Sequence, residues 1–288
     1  MESLCIMDLC ILVVRVSKAE ELFEIWNNCR GNKWEEKLKE VGEVSQEDVN
    51  GFLRLVGEGD KKVHPFSLGV FVSRVLNICY VGDVIELDVG VVEGKIDVGT
   101  KLNKNMLIYV KGFVEGNIGD GMKNGIIIVD GDVKGRAGYY MEGGIIVVNG
   151  NVDDVGWGMM GGYVDINGVA HEDVGYSMDG GIISIKGTVL KEVGPFMHNG
   201  TIIVKGSIRG SVGNEMDGGL IIVNGYIHSS SLPLGYQSLG GTIVVNYSYL
   251  ESSLLRGIGE AIVLYDDMAF VGQRLLDKSR SLLSEGLK

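Results

Sequence analysis

Cysteine is missing beyond residue 79: the four present, Cys5, Cys10, Cys29 and Cys79, all lie in the first 80 residues. That distribution excludes a disulfide framework for the larger part of the chain and points to a reducing compartment. Proline is almost absent, with 3 residues against 45 glycines, and no Gly-x-y triplet runs through those glycines, which excludes collagen. Basic residues are in deficit, 26 Lys and Arg against 38 Asp and Glu, for a formal charge of −12. This argues against a nucleic-acid partner, because phosphate binding by counterion release needs Lys and Arg. No apolar run is long enough to span a bilayer. The apolar stretch Leu4 to Val16 is broken by Asp8 and follows no basic segment, so it predicts a buried strand, with no membrane partner and a cytoplasmic location. No G-x-S-x-G elbow, phosphate-cradling lysine loop or strand-linked dinucleotide fingerprint stands in a convincing context.

What is present is a repeat. Copies of one pattern, most of them nineteen residues long, begin at Met106, Gly125, Gly144, Gly162, Gly181, Gly200 and Gly219, and a broken copy opens at Gly241. A degenerate first copy precedes them from Val84, where Gly90-Val91-Val92-Glu93-Gly94 is echoed by Gly112-Phe113-Val114-Glu115-Gly116. A fixed period of this size means stacked supersecondary units.

Each copy carries a four-residue aliphatic run whose second and fourth positions admit nothing polar: Ile127 and Val129, Ile146 and Val148, Ile183 and Ile185, and so on. The first and third positions admit Tyr109, Tyr163, Asp165, Ser184 and Thr201. Period two with one intolerant face is a β-strand whose second and fourth residues point inward. Two further inward columns follow, one from Val114 through Val133, Val152, Ala170, Val189 and Ile208 to Ile227. The other runs from Ile118 through Ala137, Val155, Val174, Val193 and Val212 to Leu234. Three inward segments per turn describe a parallel β-helix of about eight rungs. The glycines mark its corners, where φ is positive or no Cβ fits, and the column holding Asp130, Asn149, Asn167, Asn224, Lys111, Lys186 and Lys205 is an outward corner.

Residues with catalytic or ligating potential dissolve into this frame. Met122, Met141, Met159, Met178, Met197 and Met216 recur at the repeat period, and one residue per rung at a constant slot predicts a buried ladder rather than a soft-metal site. His64, His171, His198 and His228 occupy unrelated slots, which predicts separate surface histidines. The cysteines lack C-x-x-C spacing, so buried thiols are expected rather than a zinc or iron–sulfur site. Asp153-Asp154 is expected at a turn and Asp266-Asp267 at a helix start, as solvated or capping acids.

Outside the repeats, residues 1–80 predict a small α/β cap. It would have a strand at Cys10 to Val16 and helices started by the Ser17/Glu20, Asn32/Glu35 and Ser45/Asp48 pairs, the first running to about Cys29 and the second to Val41. The solenoid occupies 84–250. Residues 251–288 predict a strand at Ala261 to Tyr265 and a helix over 267–286 with Met268, Val271, Leu275 and Leu282 on one stripe.

Met141-Glu142-Gly143-Gly144, Met159-Met160-Gly161-Gly162, Met178-Asp179-Gly180-Gly181 and Met216-Asp217-Gly218-Gly219, aligned with the runs that follow them, make the chain resemble the GXGXG repeat family over about residues 84–247. That family includes the repeat-bearing subunit of archaeal and bacterial formylmethanofuran dehydrogenase and the C-terminal domain of the glutamate synthase large subunit. The resemblance implies a right-handed parallel β-helix that acts as a non-catalytic scaffold and binds no cofactor of its own. Its partners would be oxidoreductase subunits carrying iron–sulfur clusters and molybdopterin or flavin. It transfers no catalytic, cofactor-binding or metal-binding residue. A free-standing chain with a cap of about 80 residues favours the formylmethanofuran dehydrogenase branch and one-carbon metabolism of the methanogenic type, with a glutamate synthase-like subunit as the alternative. A left-handed acyltransferase helix, aliphatic every six residues, fits less well: inward positions 127, 129, 133, 137 and 141 are spaced two, four, four and four.

Overall fold

The computed structural model describes residues 17–28, 33–58, 65–91, 96–228, 232–246, 259–260, 262–265 and 268–271. The chain is a parallel β-solenoid of about eight turns, with a helical cap over its first rung.

The period-two strands stack as predicted. β1 (Val84–Leu87), β2 (Leu107–Lys111), β3 (Ile126–Asp130), β5 (Ile145–Val148), β7 (Tyr163–Ile166), β8 (Ile182–Ile185), β9 (Thr201–Val204), β10 (Leu220–Val223), β11 (Thr242–Val245) and β12 (Ile262–Tyr265) form one parallel wall. Each residue pairs with the same slot of the next rung, for example Ile127 with Ile146 and Ile146 with Val164. A second sheet, β4 (Val133–Ala137) with β6 (Val152–Val155), belongs to the other two walls, which continue as isolated parallel bridges through Ala170, Val189, Ile208 and Ile227 and through Val174, Val193 and Val212. Every inward residue of the three columns is buried, and the six ladder methionines are fully so.

The glycine column in mid-repeat has a steric origin rather than a conformational one. At Gly150, Gly168, Gly187, Gly206 and Gly225 a Cβ would land on the carbonyl of the equivalent glycine one rung below, and none of these residues has a positive φ. The corner that follows the third inward column differs. The second residue after its glycine is left-handed in every turn, yet a further glycine fills that slot only at Gly121 and Gly158. Lys101, Tyr140, Ser177, Phe196, Glu215 and Gln237 hold φ between 48° and 56° there. Left-handed backbone costs an L-residue about 1–2 kcal/mol, partly offset by the entropy glycine loses on folding. Ser177→Gly is therefore expected to stabilise the fold by up to about 1 kcal/mol, a rise of roughly 2–4 °C in Tm for a chain of this size. An unchanged or lower Tm in differential scanning calorimetry counts against stored strain at this corner.

In the cap, Ser17 and Glu20 form the expected reciprocal bonds at the start of α1 (Lys18–Asn28). α2 (Lys33–Val41) ends where predicted, and Ser45 with Asp48 makes a full capping box on α3 (Gln46–Gly57). The described cap is all helix apart from one bridge between Val44 and Tyr80, and the predicted strand at Cys10 to Val16 lies outside the described residues. α4 (Pro65–Ile78) has no Ser/Thr cap pair to announce it; Pro65 at its first position was the available signal. Trp26, Trp34, Phe52 and Phe71 interlock the helices at ring-centroid distances of 5.2–5.4 Å.

The cap also closes the solenoid's first edge. Asn50 donates from Nδ2 to the Glu86 carbonyl at 2.8 Å and accepts from the Asp88 amide at 3.1 Å, and Gln46 Oε1 accepts from the Glu86 amide at 2.8 Å. Side-chain amides of α3 thus occupy β1's open hydrogen-bonding groups, a known defence of a sheet edge. At the far end, β13 (Met268–Val271) pairs antiparallel with β12, so the start of the segment expected to be helical over 267–286 is a strand. A strand edge open on β12 outweighs a weak helical stripe. The remainder of that segment, with Leu275 and Leu282, lies outside the described residues.

Candidate interaction site

The surface chemistry concentrates at the corner after the third inward column, where consecutive rungs place large or ionisable residues in register. Tyr139, Trp157 and Tyr176 occupy the slot after the corner glycine, and Tyr140 and Phe196 the left-handed slot beside it. Their rings form a chain: Tyr140 to Tyr139 at 4.5 Å, Tyr139 to Trp157 at 6.4 Å, Trp157 to Tyr176 at 4.4 Å and Tyr176 to Phe196 at 5.3 Å. Arg136 lays its guanidinium over Tyr139 at 4.7 Å and over Trp157 at 5.2 Å. Tyr140 is 46% exposed at the tip. Aromatic rings stacked with an arginine plane are the residue types enriched at protein–protein hot spots.

Acids line the neighbouring column. Asp154 Oδ2 lies 3.7 Å from Arg136 Nε, and burial raises its carboxyl and that of Asp173 above the ordinary carboxylate range. Asp153-Asp154 therefore sits within β6, with Asp153 facing His171 at 3.7 Å, rather than at a turn. The larger perturbation lies nearer the cap, where Asp120 is buried. Burial first, then the charge of Asp97, pushes its carboxyl from 3.8 to about 6, opposed by the Asn117 hydrogen bond and by Arg136 and Lys101. Asn117 ties the pair together: its amide donates to Asp97 Oδ1 at 2.7 Å and its Nδ2 reaches Asp120 Oδ2 at 3.5 Å. Asp120 Oδ1 and, one rung below, Thr100 Oγ1 are buried without a hydrogen-bonding partner among the described residues.

The folded chain holds the Asp120 proton more tightly than the unfolded chain does. Stability tied to this group is thus present below about pH 4 and lost as pH rises through about 6. Asp120→Asn keeps the shape and removes the charge. Relative to wild type, its Tm is expected to climb between about pH 4 and 7 and then level off. A Tm difference independent of pH would show that the carboxyl titrates normally.

The other candidates are dispersed. His198 Nδ1 is 2.8 Å from Asp217 Oδ1, His171 meets Asp153, and His228 packs on Tyr226 at 4.7 Å, three separate surface contacts. His64, Cys5, Cys10, Cys29 and Asp266-Asp267 lie outside the described residues. Cys79 is buried, donates to the Leu38 carbonyl at 3.2 Å, and burial pushes its thiol up to about 11, which makes it an inert thiol at neutral pH. Among the described residues no three acidic, histidine or cysteine ligands converge, and no helix is long and apolar enough to cross a membrane.

The sequence alone hinted at the aromatic chain, since Tyr139, Trp157 and Tyr176 each follow a column glycine. The Asp97–Asp120 pair is less visible, because its members belong to different columns. Compared with family models, curated proteins and solved structures, the chain matches none.

Proposed function

We propose that this chain is a non-catalytic scaffold subunit of a multi-subunit oxidoreductase complex, of the kind the formylmethanofuran dehydrogenase resemblance implies. Its docking site would be the ridge of Arg136, Tyr139, Tyr140, Trp157 and Tyr176. The resemblance supplies the type of complex, and the aromatic–arginine ridge, half-buried except for the exposed Tyr140, carries the docking role. The repeats devote their most reactive-looking residues to architecture: the ladder methionines fill the interior and the glycines allow the rungs to touch. Burial at a partner interface would desolvate the guanidinium already held over two rings, where such contacts are worth most.

Affinity purification of the tagged full chain from its native host, with partners identified by mass spectrometry, tests the assignment. Oxidoreductase subunits are expected to co-purify. The pair Arg136→Ala and Tyr140→Asn should weaken their retention by about thirtyfold or more, the effect of losing one hot spot of about 2 kcal/mol. Asparagine suits the left-handed slot, so the fold is kept. Hydrolase or transferase activity in the isolated chain, with no partner recovered, would refute the scaffold role.

A further inference from the structure

The outer face of the long parallel wall is mostly aliphatic, with Tyr109, Tyr163, Ser184, Thr201 and Thr242 as its uncharged exceptions, where a solvent-facing sheet would carry polar residues throughout. Ile126, Ile145 and Ile182 in the first slot and Val147, Ile203 and Ile222 in the third all point away from the core. Ile145 and Ile182 are 38% and 42% exposed. Parallel sheets with near-continuous aliphatic strands, such as Ile126-Ile127-Ile128-Val129 here, characteristically have both faces covered. Among the described residues the interior covers one face only.

The face is also electrically neutral, unlike the chain as a whole. Its charged residues in these two slots over β1–β11, Glu86 and Asp165, are each paired with a lysine at 2.9 Å, Lys111 and Lys186. Whatever attraction the net charge of −12 exerts on a basic partner, it is not exerted here. Two copies of an acidic rod repel each other over most of their surface, but not across this patch. Its flat ridges recur at the strand spacing, a relief that another sheet of the same period matches.

Area allows the contact as well. Ten strands at about 4.8 Å, each about 13 Å long, present roughly 560 Å² per copy, or about 1,100 Å² in total, just above the roughly 1,000 Å² expected of a specific interface. We infer that two copies of this chain pack these faces together across a two-fold axis, sheet on sheet. Such a dimer is independent of the scaffold assignment, which concerns a different corner of the rod.

Sedimentation velocity of the purified full chain is expected to give twice the 31.1 kDa chain mass. The dimer should tighten as salt is raised, because screening relieves repulsion between like-charged rods. The double variant Ile145→Glu, Ile182→Glu should sediment at one chain mass with an unchanged circular dichroism spectrum. If that variant misfolds, hydroxyl-radical footprinting of the wild type replaces it, with Ile145 and Ile182 becoming protected as concentration rises. A wild-type monomer at tens of micromolar overturns the inference, as does a dimer that survives the double variant, or protection that does not change with concentration. Failure to recover oxidoreductase subunits from the host would leave the dimer standing.

Discussion

Ile146→Asp is expected to abolish folding or drive the chain into aggregates. Ile146 is fully buried in the third clear copy of the repeat, paired with Ile127 below and Val164 above, and its Cδ1 fills the space over Gly119. A carboxylate there meets aliphatic carbon, with no cation or donor to pair it, so the loss is at least about 4 kcal/mol. In a solenoid each rung is a template for its neighbours, so a broken rung uncouples both halves. Val147→Asp, one residue along, points outward. It faces Asp165 across the strand pair, and that like-charge contact costs about 1 kcal/mol or less. Chemical denaturation of dilute protein separates the two variants. Equal losses would mean that the inward columns are assigned wrongly.

Gly187→Ala should be nearly as damaging, for a reason that has nothing to do with polarity. The added methyl would fall on the Gly168 carbonyl, and that carbonyl is fixed backbone, unable to move aside as a side chain does. The rungs must separate at that wall, which breaks the Val189-to-Ala170 register and the bond from the Leu190 amide to the Ala170 carbonyl at 2.9 Å. Several kcal/mol are at stake, beyond the roughly 1 kcal/mol of an ordinary glycine substitution. Gly112→Ala is the control: its φ is +85° but no atom lies within 4 Å of the added methyl, so only left-handed strain of about 1–2 kcal/mol applies. Thermal melts that rank Gly112→Ala at or below Gly187→Ala in stability would remove the steric explanation of the column.

Much of this was legible in the residues. Ile127 and Val129, Val133, Ala137 and Met141 face inward as their spacing required, because the alternation of a strand and the recurrence of a repeat are local properties that one chain displays to any reader. The Ser17 and Ser45 caps were equally plain, since a capping box spans only four residues. Misplaced features depend on a neighbour far away in sequence. Met268–Val271 is a strand because β12 offers an edge, and Asp153-Asp154 lies in β6 because β4 lies beneath it. Asp120 looks ordinary until Asp97 and the burial of the corner are known.

From its residues alone this chain is a solenoid: they dictate which side chains turn inward, how many fit each rung, and where the backbone must bend. Contacts between rungs belong to the folded molecule. There the mid-repeat glycines are held by a carbonyl from the rung below, six side chains accept left-handed backbone at a shared corner, and Arg136 spans two rings of different rungs. Side-chain direction follows from torsions within a few residues, whereas contact between rungs follows from stacking at about 4.8 Å, a distance between segments nineteen residues apart that no local pattern encodes.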